Sequence, residues 1–580
     1  MSKADTVKVD PILLSIIQNR FEGIAEEMAQ TLMMTSRSGI FAEARDFVTG
    51  ICDGEGRLLA QSRYFPGFAC ALPYVVPPIL DKYAAKIVDG DVFIVNDPYS
   101  GNSHLPDMNV LKPVFCDGRI AFWAVCKGHM ADIGGAGVAG YDPRSETVYD
   151  EGVLVPPLKL FRAGVLNEDL LELIVRQLKL PELVRGDILC EVGGANIGER
   201  GLKALLARYG GDLVDAHVSA FLDASERTMR ARLDALPDGI YYGEKMIDDD
   251  VASDTPLTIR VKVTVGKSAV EFDFTASDPQ SPRYMNSTDI FARSMATLTL
   301  FWVLEHDQSN HGSLRPIRFI NPKGTCANAA HPASTVLSTC TMAECIQEAV
   351  QLALAQALPK QTPAPSSKLI FPIVSYIHPE KKHLDVNLDF FFRANPSGGA
   401  PGFDGWPQGG PAQEMGMGRE PDPEIHELTH PVRIHCFEQI QDSAGAGAYR
   451  GGNGWLYRVE HLVPSVKAVV FGSGVKPHSV PTGLFGGRDP EPSVLTVERS
   501  NGARECIRLN SFFDLGAGDI LELRQMGGPG YGEPRLRDPD RVAQDICEGA
   551  VSVEKARSVY LVAVDAAGAI DVAATEALRR

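Results

Sequence analysis

Histidine and aspartate recur at one spacing in the stretch DVFIVNDPYSGNSHLPDMNVLKPVFCDGRIAFWAVCKGHMAD, residues 91–132. His104 and Asp107 form one His-x-x-Asp pair, and His129 and Asp132 form a second 25 residues further on. Imidazole together with carboxylate is a donor set for zinc, manganese or iron, whereas an all-oxygen set suits magnesium or calcium. Such an ion polarises a carbonyl or lowers the pKa of water to about 7, which is hydrolytic chemistry. One His-x-x-Asp pair is as well explained by a structural hydrogen bond. Its repetition, each time after an apolar run and near glycine, makes this the best metal-site candidate in the chain.

These side chains need a scaffold that brings two distant segments together. Val92–Val95 and Ile120–Val125 are short, β-branched or aromatic, and bounded by turn residues, which predicts two buried strands. Each leads towards one His-x-x-Asp pair, so the imidazoles and carboxylates are expected side by side at a sheet edge. Upstream, Phe47–Cys52 and Arg57–Gln61 flank the turn signal Asp53-Gly54 and predict a hairpin. Asp46 opens the first of these strands. Its carboxylate is either a third metal ligand or a solvated charge paired with Arg45, and spacing alone favours the charge pair. Before it, Asp10-Pro11 starts a helix with an aspartate cap and a proline whose missing N–H costs nothing there. Apolar residues from Leu13 to Met33 continue that helix to about Thr35.

Further along, Asn167–Leu178 and Pro181–Leu189 read as helices, and a helical tract follows from about Ile197 to Leu236, with a break at Gly210-Gly211. Between them GGANIGERG, residues 193–201, reads as a glycine-rich turn. GGAGVAG, residues 134–140, is a tight turn or a backbone cradle for an anion, but it lacks the Lys-Ser/Thr of a phosphate loop. The loop from Pro143 to Leu160 is long enough to line a site. Leu257–Gly266 and Ala269–Thr275 alternate and predict a hairpin across Gly266-Lys267, so the Gly-Lys-Ser there is a turn and not a nucleotide loop. His426, His430 and His435 lie among Glu424, Glu427 and Glu438, which reads as mixed polar surface before a metal site.

A chain of 580 residues exceeds one hydrophobic core. The expected class is α+β and multidomain, with mixed N-terminal and central parts and a β-rich C-terminal portion. The expected divisions are an α/β metal-site domain over 1–165, a helical segment over 166–238, a central α/β domain over 239–430 and a β-rich domain over 431–580. A formal charge of −18 argues against nucleic-acid binding, which needs a basic face. Eleven cysteines without a Cys-x-x-Cys pair read as reduced thiols. No apolar run reaches membrane-spanning length and the N-terminus lacks an apolar signal core, so the expected place is the cytoplasm.

Four segments carry a family resemblance: NDPYSGNSHLPDMN (96–109), GHMADIGG (128–135), DSAGAGAYRGGNG (442–454) and GGPGYGEPRLRDP (527–539). Together they resemble the hydantoinase B family, and the likeness runs from about residue 10 to 562. The resemblance implies a division of labour. An A-type partner with an actin-like ATPase fold binds ATP and Mg and phosphorylates a substrate oxygen, while the B-type subunit holds one divalent transition metal and completes the reaction. Implied metal ligands are Asp46, His104, Asp107 and His129, with Asp132 orienting His129 or acting as general base. The implied activity is ATP-dependent opening of a lactam, oxoproline or hydantoin ring within a hetero-oligomer. Ketone carboxylation of the acetone or acetophenone type is the alternative, though acetone carboxylase subunits are longer than this chain. One departure is that Glu43-Ala44-Arg45-Asp46-Phe47 is followed by Val48 where the family often has serine.

Overall fold

The computed structural model describes residues 9–307, 309–414, 420–565 and 569–580. Helices and several sheets alternate through two compact units, Met1–Tyr242 with Arg260–Ile346, and Gly243–Ile259 with Gln347–Arg580. The expected central domain over 239–430 is therefore divided between the units. The segment 166–238 does not stand apart either, because its long helix packs on the N-terminal sheet.

The first unit is built on a seven-stranded sheet. Its strands are β1 (Phe47–Asp53), β2 (Leu58–Gln61), β3 (Val92–Val95), β4 (Asp107–Cys116), β5 (Arg119–His129), β6 (Leu158–Arg162) and β7 (Val165–Leu166). They lie in the order β2-β1-β5-β4-β3-β6-β7, with every neighbouring pair antiparallel. The hairpin β1–β2 and strand β3 form where the residue pattern predicts them. β4 is the element that the pattern did not reveal: MNVLKPVFC mixes Asn, Lys and Pro with its apolar residues, so no clean alternation marks it. It is a ten-residue strand whose partner β5 supplies the missing register.

Helix α1 (Pro11–Thr35) starts as expected, with the Asp10 carboxylate accepting the Ile12 N–H at 2.8 Å. It buries Ile17, Phe21, Ile24, Met28 and Leu32 against the sheet and against α2 (Pro181–Tyr209). The expected turn at 193–201 is not a turn. It lies inside α2, a continuous 29-residue helix. Gly194, Gly198 and Gly201 recur on one face, where a Cβ on Gly198 would stand 2.6 Å from Met28 Sδ and 2.7 Å from Ala124 Cβ, and one on Gly201 would stand 2.8 Å from Ile24 Cγ1. Each helical glycine costs about 1 kcal/mol against alanine. Here that cost is offset by the close approach of α2 to α1 and β5. The break expected at Gly210 is present, at φ +80°, before the helix Gly211–Asp234.

The second unit contains two antiparallel sheets. One has the order Leu384–Leu388, Ile370–Ile377, Val466–Gly472, Ser511–Leu515; the other has Val432–Gln439, Trp455–His461, Ile520–Arg524, Val494–Glu498, Arg504–Cys506. Its two glycine-rich motifs interleave main chain with main chain. The Gly445 N–H donates to Gly528 O at 2.8 Å and the Gly528 N–H donates to Gly452 O at 2.9 Å. A Cβ on Gly451 would overlap the Gly528 carbonyl, so no side chain fits there. The fully buried Arg537 ties the crossing together through Asp404 and Asp545.

Candidate metal centre

The loop between β3 and β4 carries the first His-x-x-Asp pair, and buried asparagines fold it. The Asn102 side-chain amide donates to the carbonyls of Asn96 (2.7 Å), His104 (2.7 Å) and Asp107 (2.8 Å). The Asn96 amide donates to Leu105 O and Val153 O, and its oxygen accepts the Val155 N–H at 2.7 Å. Buried backbone groups that the sheet cannot satisfy thus find side-chain partners. The turn that results points His104 and Asp107 the same way.

Register then adds the second histidine. Asp107 opens β4 directly opposite His129, the last residue of β5, and Asn109 lies opposite Lys127. Residues two apart on a strand share a face, so Asp107, Asn109, Lys127 and His129 make one buried polar patch. Gly128 between the last two is obligatory, because a Cβ there would overlap the Phe41 ring.

Three donor atoms converge on this patch. His104 Nε2 lies 2.7 Å from Asp107 Oδ1 and 3.2 Å from His129 Nδ1, and His129 Nδ1 lies 3.3 Å from the same carboxylate oxygen. The other nitrogen of His104, Nδ1, is 2.7 Å from Val336 O, an atom that can only accept. Nδ1 therefore carries a proton, and Nε2 is the atom turned towards Asp107 and His129. Ligand atoms held about 2.0–2.2 Å from one first-row ion stand about 3 Å apart. The triangle fits that spacing, and among the described residues it is the group of histidine, cysteine or acidic side chains whose ligand atoms come within 4.8 Å of one another.

Charge around the triangle favours an ionised Asp107. Burial alone would raise its pKa, but His104 and Lys127 outweigh burial and hold the carboxyl far below the usual range. Its second oxygen, Oδ2, accepts from the Ser103 hydroxyl and lies 3.5 Å from Lys127 Nζ. Lys127 itself is buried, which pushes its ammonium down to about 8 against the pull of Asp107, and it donates to Asn102 Oδ1 at 2.6 Å. On the far side Tyr141 stacks along His129, with ring centroids 6.5 Å apart, and its hydroxyl lies 3.9 Å from Cys340 Sγ. Burial first, then Cys340, Asp107 and Asp46, raise the Tyr141 hydroxyl well above its ordinary value, so it stays protonated.

Residues 10–534 match the family model described as hydantoinase B/oxoprolinase. The chain belongs to the hydantoinase B/oxoprolinase family. This hydantoinase B protein is 33% identical over 581 residues to the beta chain of the caprolactamase of Pseudomonas jessenii, covering 98% of this chain and 99% of that one. It is 28% identical to the B-type subunit of a putative D-/L-hydantoinase of Pseudomonas sp. strain NS671 over the whole of both chains. The crystal structure of the ATP-dependent caprolactamase from Pseudomonas jessenii superposes with a TM-score of 0.91 at 32% identity, covering 99% of this chain and all of that chain. A nucleotide-free acetone carboxylase structure gives a TM-score of 0.89 at 19% identity, covering 98% of this chain and 82% of that one, a likeness of fold alone.

Within this hydantoinase B fold the expected site residues separate. His104, Asp107 and His129 come together. Asp46 joins them through the main chain, since its carbonyl accepts the His129 N–H at 3.1 Å. Its carboxylate is not one of the three converging groups, although its charge is felt at Tyr141 and at Cys340. Asp132 requires a correction. Its carboxylate accepts the backbone N–H groups of Gly134 (3.0 Å), Leu180 (3.0 Å) and Lys179, holding the chain at the start of α2 rather than meeting His129. The expected polar surface around residues 426–435 is also corrected in part. His426 is buried with Nε2 3.7 Å from Asp389 Oδ2, His430 Nδ1 lies 2.8 Å from the Tyr376 hydroxyl, and only His435, beside Glu460, is a surface residue. Lys127, Asn102, Tyr141, Val336 and Thr339 join the site without being marked by the residue pattern. A lysine two residues before His129 in an otherwise apolar strand is the available signal for the first of them.

Proposed function

We propose that this chain is the metal-holding B-type subunit of an ATP-dependent cyclic-amide hydrolase that opens a lactam, oxoproline or hydantoin ring. The observation that carries the reading is the convergence of His104 Nε2, Asp107 Oδ1 and His129 Nδ1 in a chain that matches the caprolactamase beta chain from end to end. His104, Asp107 and His129 would hold one Zn, Mn or Fe ion, with Asp46 as the fourth donor. A bound ion supplies Lewis-acid chemistry, polarising an oxygen of the substrate or lowering the pKa of water. The rest falls to the chain. Val336 holds the proton on His104 Nδ1, His104 and Lys127 keep Asp107 ionised while the Ser103 hydroxyl donates to its second oxygen, and Asp46 fixes His129 through its main chain.

An unstrained amide is a poor electrophile, and transfer of a phosphoryl group from ATP to its oxygen makes a better one. We assign that step to an A-type ATPase partner that binds ATP and Mg, as the subunit names of the relatives support. Free thiols, most of them buried, suit a reducing compartment and support a cytoplasmic place. Among the described residues no helix is long and apolar enough to cross a membrane.

Elemental analysis of the purified chain tests the site: about one Zn, Mn or Fe per chain is expected, lost in His104→Ala, Asp107→Ala and His129→Ala. Metal retained at wild-type content in all three variants would refute the assignment. The ketone-carboxylase alternative is tested by turnover of the assembled complex with labelled bicarbonate. No label enters the product if the hydrolase reading is right, and fixed label overturns it.

A further inference from the structure

The residue that decides how His104 is presented lies on neither histidine-bearing segment. Val336, whose carbonyl receives His104 Nδ1–H, sits on a strap, residues 333–339, that also brings the Thr339 hydroxyl to 3.1 and 3.3 Å from the two nitrogens of the same ring. This strap is fixed by a carboxylate. Glu151, at the end of the short helix Val148–Glu151, accepts at a single oxygen, Oε1, from the Ser334 hydroxyl (2.6 Å), the Thr335 N–H (2.6 Å) and the Val336 N–H (2.9 Å). Glu151 is fully buried. Smaller contacts brace the same strap: the Tyr99 hydroxyl donates to Ala333 O at 2.6 Å and the Asn286 amide to Ser334 O at 3.0 Å.

We propose that Glu151 is a positioning residue of the metal centre: by pinning the N–H groups of Thr335 and Val336 it aims the Val336 carbonyl at His104 Nδ1 and so holds Nε2 towards Asp107 and His129. The inference rests on the reading of these three residues as metal ligands. Burying a carboxylate has a cost, and burial pushes Glu151 up to about 7 despite its three donors. That cost is offset only if the strap it organises matters. Partners behind a ligating histidine set its tautomer and ring orientation, and losing one typically weakens metal binding about 10- to 100-fold. Glutamine, neutral and of the same shape, keeps the oxygen that accepts all three donors.

The test uses the full chain with two readouts. Zn2+, and Mn2+ in parallel, are titrated against a competing chelator, and 15N spectra of the metal-free, histidine-labelled chain report which nitrogen of His104 carries the proton. Glu151→Ala is expected to bind metal about 10- to 100-fold more weakly and to lose the Nδ1-protonated form, while Glu151→Gln restores both. An alanine variant that keeps wild-type affinity and tautomer overturns the proposal. If the alanine variant does not fold, Glu151→Asp, which withdraws the carboxylate by one methylene, decides by the same two measurements. Should the wild type show the Nδ1 tautomer but bind neither ion, with the tautomer lost in Glu151→Ala, the metal reading fails and the positioning role stands.

Discussion

Lys127 controls the charge balance beneath the three converging donors. Its ammonium and the Asp107 carboxylate are both fully buried and 3.5 Å apart. Removing one partner of such a pair costs about 3–5 kcal/mol, because the other is left as an uncompensated buried charge. Lys127→Met is therefore expected to lower the stability of the metal-free chain by about that amount. Zn2+ should return part of the loss, since a cation again stands beside Asp107. Denaturant unfolding with and without Zn2+ measures both, and an equal loss in the two conditions would remove Lys127 from the site. His104, Asp107 and His129 were legible at this scale because their side-chain chemistry and spacing repeat. Asp132 shares the spacing but not the place, because the chain leaves the sheet after His129 and Asp132 is taken up by the N–H groups of Lys179 and Leu180, the two residues that lead into α2.

The element that decides whether the site is supported is α2. Its glycines are not interchangeable: a side chain on Gly198 collides with Met28 and Ala124, while one on Gly193 meets nothing within 4 Å. Gly198→Leu is expected to destabilise by about 1–3 kcal/mol or more through overpacking. Gly193→Ala is expected to stabilise by up to about 1 kcal/mol through helix propensity. Thermal melting of the two variants checks the pair, and a tolerated Gly198→Leu would show that α1 and α2 do not need their close approach. Glycine content alone reads as a turn here; only the neighbouring helix converts it into a packing face. β4 shows the same limit: Asp107 and Asn109 face the site while Lys112 faces α2, and polar residues on both faces mask the alternation that marks a strand.

At the scale of the whole molecule, acid is expected to act on the second unit through the buried His461 and the half-buried His430. Burial pushes His461 and His430 down to about 4. Between the ordinary histidine value near 6.5 and about 4, the unfolded chain binds protons that the folded chain excludes, so stability falls as pH falls through that window. Each group contributes about 1.4 kcal/mol per pH unit there, and the loss levels off below about pH 4. Melting temperature against pH should show this slope, and His461→Gln should flatten it; an unchanged slope would mean that His461 is protonated in the fold.

Sequence by itself determined the donor types and their spacing, the start of α1, the hairpin β1–β2, the mixed α and β character and the family motifs at 96–109, 128–135, 442–454 and 527–539. These follow from local chemistry: side-chain donors, caps, turns and periodicity. Tertiary structure decided that Asp107 stands across the sheet from His129, that Val336 and Glu151 from distant segments govern His104, that GGANIGERG is helix, and that the later glycine motifs are main chain packed on main chain. Each of these depends on which surface arrives opposite a residue, and no spacing along the chain encodes that distance.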